Sequence, residues 1–167
     1  MLISLEIRNF LLIKNISINF ITGFNAFTGE TGAGKSIIID GLKLALGGKN
    51  NSNLNLTVGE TSKIKAVFEK DANINQNLKD LDIQIEDDYL IVERQINHLQ
   101  KSKILLNGQI ISQSIVKKIL TNTIEFQENY EQQELFDNKY FLNFIDKLSK
   151  IDLKSIGKSY RNLKIIK

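Results

Sequence analysis

The residues best placed to do chemistry are Thr28-Gly29-Glu30-Thr31-Gly32-Ala33-Gly34-Lys35-Ser36, a complete G-x-x-x-x-G-K-S pattern. Gly29, Gly32 and Gly34 carry no Cβ, so the backbone can wrap a phosphate and turn its N–H groups inward. Lys35 is set to reach β- and γ-phosphate oxygens, and the Ser36 hydroxyl to ligate Mg²⁺. A glycine-rich turn with a chance lysine would need no particular flanks. This one follows an apolar, strand-like run from Phe24 to Thr28 and opens a helical run from Ser36 to Leu46. Strand, glycine loop and helix form the context in which the motif binds nucleotide, because the new helix points its positive end at the anion.

The elements that must position this loop are legible from periodicity. Residues 2–9 alternate, with Ile3, Leu5 and Ile7 against polar neighbours, and Asn15 to Phe20 alternates again. The two runs read as antiparallel neighbours joined through Phe10 to Lys14. Gly47-Gly48 ends the helix after the loop, as glycine does just past a helix. Lys49 to Glu60 is polar and reads as a loop. Ser62 to Phe68 and Tyr89 to Gln95 read as strands, and Ala72 to Leu81 fits a short helix. Lys103 to Leu106 and Gln109 to Ile111 flank Asn107-Gly108, a hairpin signature. Ser112 to Leu120 fits a helix capped by Ser112 or Ser114. Thr123 to Phe126 reads as a return to strand. Glu131 to Lys150 is helical, with Phe136, Tyr140, Phe144 and Leu148 spaced by four, and Ile156, Tyr160 and Leu163 keep helical spacing.

Composition narrows the classes. The 167 residues suffice for one domain with a core, and 42% are hydrophobic, as in a globular chain. The absence of cysteine excludes disulfides and thiolate chemistry, and the single histidine, His98, cannot build a histidine-rich metal site. No apolar run approaches the roughly 18 residues of a membrane span, and the first residues do not read as a secretory signal, so the expected location is cytoplasmic, without a membrane partner. Net charge is +3 but unevenly spread. Residues 69–93 hold eight acids against two bases, and residues 146–167 hold seven bases against two acids. The basic end is either a surface for nucleic acid or a solvated helix face. Proline is absent while Asn, Ile and Lys abound, a bias of the kind an A+T-rich genome leaves.

The start from Leu5 to Phe10, the loop from Thr28 to Ser36 and the helix from Ile39 to Gly48 together resemble the N-terminal ATPase lobe of the RecN family of DNA-repair proteins, relatives of the SMC ATPases. The hairpin from Ile104 to Ile111 resembles that family's I-N-G hairpin. The resemblance covers the whole chain and is strongest over residues 1–48. It implies an α/β P-loop fold of the ABC/SMC head type: an N-terminal lobe with an antiparallel β-subdomain over residues 1–135, then residues 136–167 as the start of a coiled-coil helix. It further implies ATP and Mg²⁺ as cofactors, held by Gly29, Glu30, Thr31, Gly32, Ala33, Gly34, Lys35 and Ser36. Work on DNA during double-strand-break repair and recombination is implied too, with a second head or a C-terminal lobe as partner and a homo-oligomer as one form of it.

The departures from the family pattern are specific. Where the family carries its Q-loop, this chain has Gln127 to Gln133, and the simplest register puts Asn129 at the metal-contacting position, with Gln127 the alternative after a slip of two. The stretch from Leu54 to Thr57 has no arginine. After the loop there is no apolar run ending in Asp-Glu and no Leu-Ser-Gly-Gly-type signature, so the catalytic groups for hydrolysis are expected from another lobe. Two readings follow: the ATP-binding half of a RecN-type ATPase, or a truncated or vestigial nucleotide-binding module without turnover. A GTPase would want an Asn-Lys-x-Asp string, and a small kinase a lid rich in arginine, whereas Arg8, Arg94 and Arg161 are all this chain has.

Overall fold

The computed structural model describes residues 1–30, 34–50, 54, 56–121 and 123–126. The chain divides into two compact units, Met1–Ile124 and Glu125–Lys167, and the description below is of the first. The boundary expected at 135/136, the helical segment beyond it and the Q-loop amides all lie outside the described residues.

Strand alternation builds a six-stranded antiparallel sheet. In chain order the strands are β1 (Leu2–Phe10), β2 (Ile13–Asn19), β3 (Thr61–Glu69), β4 (Tyr89–Asn97), β5 (Ser102–Leu106) and β6 (Gln109–Ile111). Their spatial order is β2-β1-β3-β4-β5-β6. Leu5 and Ile7 of β1 lie opposite Ala66 and Ile64 of β3, which lie opposite Val92 and Arg94 of β4. Ile104 and Leu106 of β5 continue the same rows. These residues share one face because side chains alternate along a strand. That face is buried, with Leu5, Ile7, Ile64, Ala66, Phe68, Leu90 and Val92 fully enclosed. Burying each large side chain contributes roughly 1.5–3 kcal/mol.

Three helices are described: α1 (Lys35–Ala45), α2 (Ala72–Asp80) and α3 (Gln113–Ile119). Helix α1 packs on β1, β3 and β4. Gly41 makes the close approach possible, since a Cβ there would stand 2.9 Å from Ile7 Cδ1. The helix ends as the Gly47-Gly48 pair foretells. Gly47, at φ +87, donates to the Leu44 carbonyl at 3.2 Å, and Gly48 donates to the Lys43 carbonyl at 2.9 Å, the paired closure of a Schellman motif. Asp71 caps α2 by accepting from the Ile74 N–H at 2.8 Å, and Ser112, not Ser114, caps α3 through the Ile115 N–H. Asn73 and Asn77 on α2 donate to the Thr121 and Ile119 carbonyls at the end of α3, each at 2.9 Å, and lock the two helices together.

Two expected strands are not strands. Phe24 to Thr28 carries no ladder bonds, and Phe24 is 88% exposed. Asn25 closes a turn instead: its Oδ1 accepts from the Ile21 N–H at 3.1 Å, and its Nδ2 donates to the Ile21 carbonyl at 2.9 Å. An apolar run becomes a strand only where a neighbour can take its N–H and C=O groups, and none stands beside this run among the described residues. Phe27 is steadied by an edge-on contact with Phe20, with ring centroids 6.2 Å apart. Thr123 to Phe126 is also not strand. The Thr123 N–H is taken by the Leu120 carbonyl at 3.1 Å, which closes the turn after α3.

Candidate nucleotide-binding site

The site is assembled at the start of α1. Gly34 is the N-cap residue, at φ +88, where a side chain would be strained. No side chain caps the helix and no acid lies in its first turn. The positive end of an 11-residue helix is therefore left for an anion. Lys35 turns back over its own loop, and its Nζ donates to the carbonyls of Gly29 and Glu30, each at 2.5 Å. This puts a positive charge above the glycine loop. Ser36, the next residue, is exposed.

Gly29, Glu30, Gly34, Lys35 and Ser36 are thus brought together, while Thr31, Gly32, Ala33, Asn129 and Gln127 lie outside the described residues. Among the described residues no group of three His, Cys, Asp or Glu side chains could hold a metal ion. The donor set still fits Mg²⁺, which typically takes one or two protein oxygens and completes its shell with phosphates and water. Ser36 offers such an oxygen.

Sequence reasoning missed a cleft of about 470 Å³ beside the helix start. The β1–β2 turn lines it with Asn9, Leu11 and Leu12, the first turn of α1 with Ile37, and the loop before β3 with Leu54 and Glu60. Leu11 and Leu12 are exposed, whereas Leu54 is buried. The signal was present in the sequence: Leu54 and Leu56 are apolar residues two apart in a run that is mostly polar. Gln100, 46 residues away, holds Leu54 in place by donating to its carbonyl at 2.8 Å and accepting from its N–H at 3.4 Å. Glu60 accepts from the Thr57 N–H at 2.9 Å, and that bond holds its carboxyl below the ordinary value of 4.5.

The family model described as "AAA domain" matches residues 4–167. The chain is 28% identical over 165 residues to the DNA repair protein RecN of Halalkalibacterium halodurans, covering 98% of this chain and 29% of that protein. It is 33% identical over 141 residues to the DNA repair protein RecN of Synechocystis, covering 82% of this chain and 24% of that protein. It therefore spans less than a third of the curated relatives it matches. Among solved structures it is similar to one described as structural biochemistry of ATP-driven dimerization and DNA-stimulated activation of SMC ATPases. The TM-score is 0.63 at 21% identity, over 88% of this chain and 98% of that one. The fold is that of an SMC-type ATPase head.

Proposed function

Because this chain belongs to the AAA domain family, we propose that it is the ATP-binding N-terminal lobe of a RecN-like protein acting in DNA double-strand-break repair and recombination. The observation that carries the reading is the start of α1: an uncapped helix end with Lys35 already folded over the loop carbonyls. Gly29, Glu30, Thr31, Gly32, Ala33 and Gly34 cradle the phosphates. Lys35 exchanges its carbonyl partners for β- and γ-phosphate oxygens. Ser36 would hold Mg²⁺, and the Asn129 amide, or Gln127 after a slip of two, is the candidate for a second protein oxygen. The ion, when bound, neutralises charge on the phosphates. The cleft between the β1–β2 turn, Ile37 and Leu54 takes the nucleoside, since its apolar walls and few polar groups suit a base.

Hydrolysis needs groups that this lobe does not offer, so turnover requires a C-terminal lobe supplied in trans or by a second head, and a homo-oligomer is one form of that assembly. The working location is cytoplasmic, and no described helix is long and apolar enough to cross a membrane.

Calorimetric titration of the chain with Mg-ATP tests the site. Binding that disappears in Lys35→Ala is expected. No binding by the unchanged chain overturns the assignment of the loop. ATP turnover by the chain alone, abolished in Lys35→Ala, overturns the dependence on a second lobe.

A further inference from the structure

Asn107-Gly108 is the only Asn-Gly pair among the 167 residues. It forms the turn between β5 and β6, with φ +43 at the asparagine and +84 at the glycine. The pair is chemically labile, because no side chain on the glycine shields its backbone nitrogen from the asparagine amide carbon. Here a Cβ built on Gly108 would meet nothing within 4 Å. The Gly108 N–H makes no hydrogen bond among the described residues. The nucleophile is therefore free.

The electrophile is held. Nδ2 of Asn107 donates to the Tyr89 carbonyl and to Asp87 Oδ2, each at 3.1 Å. Its Oδ1 accepts from the Ile91 N–H at 2.8 Å. These bonds fix the amide against β4, so attack on its carbon must wait until they break. Little of the chain has to move for that. Strand β6 has three residues and stands last in the sheet order. Short outer elements open at lower free energy than the core.

We propose that Asn107 is a deamidation site, reached by fraying of the β5–β6 hairpin, and that its conversion unlocks the end of β4. In the open hairpin the Gly108 amide gives up its proton, and its nitrogen attacks Cγ of Asn107. The N–Cγ bond forms, the Cγ–Nδ2 bond breaks, and ammonia carries the proton away. Water then opens the five-membered imide at either carbonyl. One opening leaves aspartate at position 107. The other leaves isoaspartate, in which the backbone runs through the side-chain carbonyl.

Neither product can close the lock again. A carboxylate has no N–H to donate. At position 107 it would face the Tyr89 carbonyl and the Asp87 carboxylate, one an acceptor and the other a like charge. Isoaspartate also adds a backbone atom to a two-residue turn that sets the hairpin register. Strand β6 leads directly into α3, whose Gln113 donates to the Gly47 and Gly48 carbonyls at the end of α1. A loosened hairpin therefore reaches the contact that ties α3 to that helix. None of this draws on the nucleotide reading, so the two proposals fail separately.

The test incubates the 167-residue chain in mildly alkaline buffer, folded and in urea, and maps its peptides by mass spectrometry. Isoaspartate is counted by enzymatic methyl transfer to its free carboxyl. In urea Asn107 should convert first among the asparagines. In the folded chain it should also convert, at least roughly tenfold more slowly, because opening must come first. The Asn107→Asp variant should unfold at lower urea than the unchanged chain. Should that variant fail to fold, the converted fraction of the aged chain, separated by ion exchange, supplies the same comparison. No conversion at Asn107 in the folded chain, followed past completion in urea, overturns the proposal. Equal rates in the two samples overturn the hold of β4 on the amide. A urea midpoint unchanged by conversion overturns the unlocking.

Discussion

Asn107 and Ile91 are paired twice. The Asn107 N–H donates to the Ile91 carbonyl at 2.8 Å, and the Ile91 N–H donates to the Asn107 side-chain oxygen at 2.8 Å. Register makes them neighbours beyond the Val92–Leu106 pair, where β5 turns away. The side chain therefore stands in for a backbone carbonyl and extends the ladder by one residue. Its Nδ2 also reaches the Tyr89 carbonyl and Asp87 Oδ2, each at 3.1 Å. Asn107 sits at φ +43 and Gly108 at φ +84, the two positive angles that a type I′ turn requires. Asn107→Gly keeps the turn and removes the side-chain bonds, so it should cost about 1–2 kcal/mol. Asn107→Ala adds strain and should cost more. Urea unfolding checks the order, and an alanine variant as stable as the glycine one would sink it.

Gly41 lets α1 sit on β1, and the neighbour it spares is Ile7, which is fully enclosed. Gly41→Val should destabilise by about 1–3 kcal/mol through overpacking. Gly41→Ala sets a helix-propensity gain of up to ~1 kcal/mol against a smaller push on Ile7, and should fall near neutral. Equal midpoints for the two variants in denaturant would show that the contact gives way freely.

Most of the sheet was legible because its covered face needs period-two alternation, which β3 and β4 keep throughout and β1 keeps over its middle, from Leu5 to Arg8. The candidate loop stood out because glycine, lysine and serine have few other reasons to stand at that spacing, and the helix expected after it is present as α1. The run from Phe24 to Thr28 misled because apolarity marks a strand only when a partner edge is present, and a partner is a tertiary fact. The asparagines misled in the other direction. Their number read as compositional bias, yet Asn25, Asn73, Asn77, Asn97 and Asn107 each bond a backbone group. Asn97 Oδ1, for one, accepts from the Leu99 and Lys101 N–H groups within the β4–β5 turn. Such bonds depend on which backbone group is left over, and periodicity does not report that.

Glu60 offers a test with pH. The Thr57 N–H favours its charged form, so its folded pKa lies below the ordinary value of 4.5. Because the folded pKa is depressed, the bond contributes above the unfolded pKa and is lost as pH falls through the lowered folded value. The Thr57 amide resonance should therefore titrate with a midpoint below that of an ordinary glutamate, and Glu60→Gln should abolish the titration. A midpoint at or above the ordinary value would remove the bond from the account. Glu60 lies at the solvent surface, so global stability should change little across this range.

Gln100 ties the candidate site to the sheet. Its amide satisfies both backbone groups of Leu54 from the turn between β4 and β5, and Leu54 walls the cleft beside Ile37. A loop that lacks helix or strand has few other ways to hold one residue still. Gln100→Ala leaves the buried Leu54 N–H without this partner, while the Leu54 carbonyl keeps the Leu56 N–H at 3.0 Å, at a cost of about 1 kcal/mol to the loop's order. Gln100 lies at φ +59, so a glycine variant separates backbone strain from loss of the amide. Both variants should weaken Mg-ATP binding several-fold. Calorimetry with nucleotide gives the readout. Unchanged nucleotide affinity in both variants would remove the Leu54 wall from the nucleoside site and leave the phosphate loop to hold the ligand alone.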